Sequence, residues 1–122
     1  MTAGTVVIVD DDEAIREGIR DLLEAEGYRV VGAADGTQGL DVLRRETGSR
    51  VAIIDLSMPT MDGVDMMKAL QADAELAAIP VLVCTAWTSI PVPAGAFRVL
   101  YKPFPLPTLL HALAEAFESQ AS

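Results

Sequence analysis

Residues 51–55, Val51-Ala52-Ile53-Ile54-Asp55, decide the fold. Four consecutive apolar residues read as a strand buried on both faces, because a half-exposed strand would alternate apolar with polar. The aspartate that closes the run stands at the mouth of that strand, where a buried charge is costly unless it is paired or ligates a cation. The pattern recurs. Val6-Val7-Ile8-Val9 runs into Asp10-Asp11-Asp12-Glu13, and Pro80 precedes Val81-Leu82-Val83-Cys84, which runs into Thr85-Ala86. Val99-Leu100-Tyr101 runs into Lys102-Pro103-Phe104, and Arg29 to Ala34, around Val30-Val31, supplies one more strand.

Helical spacing fills the intervals. Ile15, Ile19, Leu22 and Leu23 predict one face of a first helix, ended by Gly27. Gly36 to Glu46 reads as a short helix with Leu40 and Leu43 inward, and Gly63 to Ala72 as a third with Val64, Met67 and Leu70 on one face. Leu106, Leu109, Leu110, Leu113 and Phe117 mark the inward stripe of a final helix. Strands apolar throughout, alternating with amphipathic helices, predict an α/β fold: a doubly wound, five-stranded parallel sheet with helices on both faces. One connection is irregular. A crossover with its helix needs at least about 10–12 residues, and the stretch from Ala86 to Ala96 barely reaches that length while containing Pro91 and Pro93. Each proline lacks a backbone donor and disfavours helix in the residue before it. The helix between strands four and five is therefore expected to be shortened or missing, with at most one helical turn.

Composition bounds the function. With 122 residues, 51% of them hydrophobic, the chain has the length of one domain and enough apolar side chains for a core without metals or disulfides. A single cysteine, Cys84, rules out an internal disulfide framework and fits a reducing compartment, so a cytoplasmic location is expected. No apolar stretch approaches a membrane span, and the N-terminus has neither the basic residues nor the apolar length of a signal peptide. Eighteen acids against nine bases give a net charge of −9, which argues against nucleic acid and anionic membrane as partners.

In doubly wound sheets the ligand site lies beyond the carboxyl ends of the strands. There the sequence places Asp10, Asp11, Asp12 and Glu13, then Asp55, then Thr85, then Lys102. Converging carboxylates repel one another and raise their pKa values. A hard divalent cation resolves this, and Mg²⁺ suits carboxylate, carbonyl and water ligands. An acidic metal site, a central carboxylate, a hydroxyl and an ammonium together suit phosphoryl transfer to a carboxylate. Other residues have plainer readings. Asp12 and Glu13 serve the N-terminus of the first helix, Asp62-Gly63 is turn and cap chemistry, and Cys84 is a small buried hydrophobe. Met58, Met61, Met66 and Met67 pack, and His111 is structural or on the surface. Trp87 either covers the site or packs on the loop.

Val9-Asp10-Asp11-Asp12, Asp55 with Met58-Pro59 and Met61-Asp62-Gly63, Thr85-Ala86 and Lys102-Pro103-Phe104 together resemble the receiver domain of bacterial response regulators, as found in chemotaxis regulators. Each piece is common alone; the four in order, each after a strand, are specific, and the resemblance spans nearly the whole chain. It implies a flavodoxin-like strand order 2-1-3-4-5 and a single receiver domain over residues 1–122 with no output domain, either a stand-alone regulator or a receiver cut from a hybrid kinase. It implies Asp55 as the phosphoacceptor, served by a histidine kinase or histidine phosphotransfer protein. Mg²⁺ would be held by Asp10, Asp11, Asp55 and the backbone carbonyl of Ser57. Thr85 and Lys102 would engage the phosphoryl group, the Lys102–Pro103 bond would be cis, and output would pass to a downstream protein partner. Such a chain is not an enzyme beyond its own phosphoryl uptake and autodephosphorylation. An alternative is a phosphorylation-independent interaction module of the same fold. A Mg²⁺-dependent phosphatase with an aspartyl-phosphate intermediate would need an acid two residues after Asp55, where Ser57 stands. Two features depart from the family: the proline-bearing segment after Thr85, and Val99, where an aromatic residue usually stands three before the lysine. Both fall on the face most receivers use to signal, so an altered switch is expected.

Overall fold

The computed structural model describes residues 4–56, 63–86 and 94–121. The chain runs β1 (Thr5–Val9), α1 (Glu13–Ala25), β2 (Arg29–Ala33), α2 (Gly36–Arg45), β3 (Arg50–Asp55), α3 (Gly63–Ala72), β4 (Val81–Thr85), β5 (Arg98–Tyr101) and α4 (Leu106–Ala121). The sheet is parallel throughout, in the order β2-β1-β3-β4-β5. It is a doubly wound α/β sheet of flavodoxin type, and the described residues between β4 and β5 contain no helix. Pro91, Pro93 and Trp87 lie outside the described residues, as do Ser57, Met58, Pro59, Met61 and Asp62.

The apolar runs divide their side chains between two cores, because successive residues of a strand point to opposite faces. Val7, Val9, Ile54 and Val83 face Leu43, Met66 and Leu70 of α2 and α3. Val6, Ile8, Ile53 and Leu82 face Leu23 of α1 and Leu109, Leu113 and Ala116 of α4. All residues of β1 and β4 are buried, as expected of central strands covered on both faces.

The helices begin and end where their caps dictate. Asp12 caps α1 through the Ile15 amide at 3.1 Å, and Asp35 caps α2 through the Gln38 amide at 2.9 Å. Gln38 returns the bond by accepting from the Ala34 amide at 3.0 Å, a reciprocal arrangement at that helix start. Gly27, at φ +96°, lets the chain turn out of α1. Gly63 matters for a different reason: a Cβ there would lie 2.9 Å from the Asp55 carbonyl oxygen and 2.7 Å from Leu56 Cδ2. Its bare backbone lets the start of α3 press against the end of β3.

α1 departs from the sequence expectation. Leu23 is buried and Ile19 packs against the core, but Ile15 and Leu22 are 42% and 48% exposed. The helix is rotated about its axis, so that its apolar stripe only partly faces the sheet. In α3, Met66 takes the deepest position, with Met67 and Leu70 buried beside it and Val64 at the margin. β3 extends to include Asp55, which therefore belongs to the strand. No helix among the described residues is long and apolar enough to cross a membrane.

Candidate functional site

β1, β3, β4 and β5 deliver their last residues to one edge of the sheet, held in register by backbone bonds. The Asp10 amide donates to the Ala33 carbonyl at 3.1 Å, the Leu56 amide to the Cys84 carbonyl at 3.2 Å, and the Lys102 amide to the Thr85 carbonyl at 2.8 Å. The ladder runs one residue past each strand, and the groups in question are fixed by main chain before any side chain acts.

Asp10, Asp11 and Asp55 bring carboxylate oxygens within 4.8 Å of one another. Asp10 and Asp55 are buried, at 4% and 6% exposure, whereas Asp11 is exposed. The Lys102 ammonium donates to Asp55 Oδ2 at 3.2 Å and stands 4.0 Å from Asp10 Oδ2. The Lys102–Pro103 peptide is cis, as the sequence resemblance implied. Thr85, 4% exposed, ends β4 beside this group, paired in register with Tyr101.

Burial is the main reason the Asp10 carboxyl is pushed above the ordinary aspartate range. Its bond from the Asp12 amide, 2.9 Å to Oδ1, opposes that, and Asp55 and Asp11 add repulsion that Lys102 only partly offsets. Burial would lower the Lys102 ammonium, but the attraction of Asp55, the hydrogen bond to it and the charge of Asp10 outweigh burial and raise it. Burial pushes the Cys84 thiol up to about 12, which makes it a protonated wall of the site and a poor nucleophile. Among the described residues, three carboxylates therefore cluster beside one ammonium. Oxygen donors alone, concentrated and under-neutralised, are the donor set a hard divalent cation takes.

The Asp12 side chain caps α1, and only its backbone amide reaches this cluster, at Asp10 Oδ1. Glu13 is exposed in the first turn, and the His111 side chain is 80% exposed, 3.2 Å from Glu115. Ser57 lies outside the described residues. One contact was not anticipated from the sequence. Arg16 Nη1 donates to the Asp10 carbonyl at 2.8 Å. The available signal was its place seven residues before Leu23, two turns along the same side of the helix.

The response regulator receiver domain profile matches residues 6–114, and the chain belongs to that family, the receivers of two-component signalling. Among its relatives is the response regulator MprA of Mycobacterium sp. (strain KMS), 36% identical over 110 residues, or 86% of this chain and 46% of the relative. The chain spans about half the length of the curated relatives it matches. The solved chemotaxis response regulator CheY4 of Vibrio cholerae superposes with TM-score 0.82 at 33% identity, covering 94% of this chain and 99% of that one. The response regulator TrrA of Thermotoga maritima, solved in complex with Mg²⁺ and BeF, shares the fold at TM-score 0.82 and 21% identity, over 95% of this chain and 99% of that one.

Proposed function

We propose that residues 1–122 act as a phosphoacceptor in which Asp55 takes a phosphoryl group from the phosphohistidine of a histidine kinase or phosphotransfer protein. The observation that carries this reading is a buried aspartate at a strand end with an ammonium at 3.2 Å and two further carboxylates at hand. An Asp55 carboxylate oxygen forms the new P–O bond as the P–N bond of the donor breaks, and the imidazole nitrogen leaves with the electron pair. Lys102 turns from Asp55 and Asp10 to the phosphoryl oxygens, and the Thr85 hydroxyl donates to the same group. Asp10, Asp11, Asp55 and the Ser57 carbonyl would hold Mg²⁺, which supplies positive charge against the phosphoryl oxygens. The three carboxylates fit that ion in chemistry and in spacing.

The donor must approach this edge of the sheet, and the exposed Ile15 and Leu22 of α1 offer it apolar surface. Output passes to a protein partner through an altered switch: Val99 packs on the core beside α3, and a valine has no ring to swing. Beryllofluoride with Mg²⁺ tests this part. Amide spectra in which residues 86 to 104 shift as a full helix, present in both states, would sink it. The acceptor role is tested by incubation with acetyl phosphate and Mg²⁺. An acid-stable, base-labile adduct of one phosphoryl group is expected on the wild type and none on Asp55→Asn. A wild type that gains no adduct overturns the proposal in favour of a phosphorylation-independent interaction module.

A further inference from the structure

The rotation of α1 turns Arg16 toward the site. At about 100° per residue, Arg16 lies within roughly 20° of Leu23 around the helix, and Ile15 roughly 80° away. The side turned to the sheet therefore carries Arg16 and Leu23, and Ile15 is left 42% exposed. An arginine on this helix has many acids to pair with. Arg20, one turn later, pairs with Glu17 at 3.5 Å and Glu24 at 3.8 Å. Among the described residues Arg16 pairs with no carboxylate; its guanidinium donates to the Asp10 carbonyl at 2.8 Å.

β2 leaves a lane for it. Gly32 pairs with Ile8 of β1, and a Cβ at Gly32 would stand 3.3 Å from Arg16 Nε and 3.4 Å from its Cδ. The arginine stem lies along that bare backbone to reach the end of β1. Asp10 is thereby held on both sides: its amide by the Ala33 carbonyl at 3.1 Å, its carbonyl by Arg16. That carbonyl belongs to the peptide plane joining Asp10 to Asp11. Its orientation sets where the Asp11 backbone starts, and where the turn presents the Asp12 amide to Asp10 Oδ1 at 2.9 Å.

We propose that Arg16 is a positioning residue for the Asp10–Asp11 pair, fixing their shared peptide plane so that both carboxylates converge on a cation, with Gly32 as the opening that admits it. The inference rests on the reading of these aspartates as metal holders. Partners that orient ligating groups change metal affinity by about 10–100-fold.

The test uses Mn²⁺ alone, its free ion counted by electron paramagnetic resonance, together with hydrogen exchange of the Asp12 amide in metal-free protein. Circular dichroism melts establish that each variant is folded. Arg16→Gln should weaken Mn²⁺ binding by about tenfold and speed Asp12 exchange by a similar factor, with β3 amides unchanged. Arg16→Lys should stay within about threefold of the wild type, since an ammonium still donates to the carbonyl. Gly32→Val keeps the arginine but fills its lane, and should reproduce Arg16→Gln. Mn²⁺ held as tightly by folded Arg16→Gln as by the wild type, or Asp12 exchange unchanged in it, overturns the proposal. Should Arg16→Gln not fold, the same two readings on Gly32→Val decide. A wild type that binds no Mn²⁺ sinks the metal reading itself, and Asp12 exchange then decides on Arg16 alone.

Discussion

The two ends of the sheet carry charge in opposite ways. At the amino end, Arg50 at the start of β3 donates to the carbonyls of Leu43, Glu46 and Gly48, closing the C-terminus of α2. Gln120 of α4 accepts from the Arg50 amide at 3.3 Å and donates to its carbonyl at 2.8 Å. One cation meets a helix end that wants one, and the main chain beside it is clamped. At the carboxyl end, three carboxylates cluster, and two of them, Asp10 and Asp55, share Lys102. The polar groups of the first end satisfy one another and hold structure. Those of the second, among the described residues, set three carboxylates against the one ammonium of Lys102, and this is where the proposed Mg²⁺ would sit.

The largest expected effect sharpens that contrast. Mg²⁺ at 100 times its dissociation constant should stabilise the wild type by about 2.7 kcal/mol, read as a rise in Tm. The rise should vanish in Asp10→Asn and persist in Arg50→Met. A rise that survives in Asp10→Asn would place the ion elsewhere. Next, Arg50→Met should lower stability by about 2 kcal/mol in urea melts, because charged hydrogen bonds to three carbonyls are lost, while phosphoryl uptake from acetyl phosphate is unchanged. Loss of uptake in folded Arg50→Met would break the separation of the two ends.

Much of this was legible in the sequence, for physical reasons. Short unbroken apolar runs such as Val6–Val9 and Val81–Cys84, set between amphipathic helices, read as strands covered on both faces, and the residue closing each run falls on the edge where parallel strands end. That rule alone brings Asp10, Asp55, Thr85 and Lys102 to one edge. The outward rotation of α1 was not legible, because periodicity reports a stripe and not the angle at which it docks. Ile15, Ile19 and Leu22 make a regular stripe; the contact that accompanies its rotation, Arg16 to a main-chain carbonyl across Gly32, leaves no hydrophobic signal. The Arg50 and Gln120 clamp was hidden for the same reason, since it joins residues 70 apart through backbone atoms.

A smaller effect separates repulsion from structure at the carboxyl end. In metal-free protein Asp10→Asn should raise Tm by a few degrees, the size of about 1 kcal/mol in a domain of this length. The amide still accepts from Asp12 while the buried charge and its repulsion from Asp55 and Asp11 are gone. The sign follows from the upward shift. The Asp10 contribution to stability is present below the unfolded value of 3.8 and is lost as pH rises through the higher folded value. The advantage of Asp10→Asn should thus be seen at neutral pH and shrink as the solution is acidified. An Asp10→Asn protein less stable than wild type at pH 7 in chelator would mean that the carboxylate is structural, as Arg50 is.

The smallest effect lies on the alkaline side. The Lys102 ammonium is raised above 10.5, because Asp55 and Asp10 outweigh the burial that opposes them. A cation raised on folding contributes stability that is fully present below pH 10.5 and is lost as pH climbs through the higher folded value. Lys102→Met should accordingly be less stable than wild type in chelator at pH 8 to 10, with the gap closing above pH 10.5. Mg²⁺ should narrow the same gap at pH 8, since it neutralises the carboxylates that the ammonium otherwise serves. Paired thermal melts across that range decide the matter. A gap that stays constant to pH 12 would make Lys102 a packing residue whose charge is incidental, and the carboxyl end would then resemble the amino end more closely than its charge count implies.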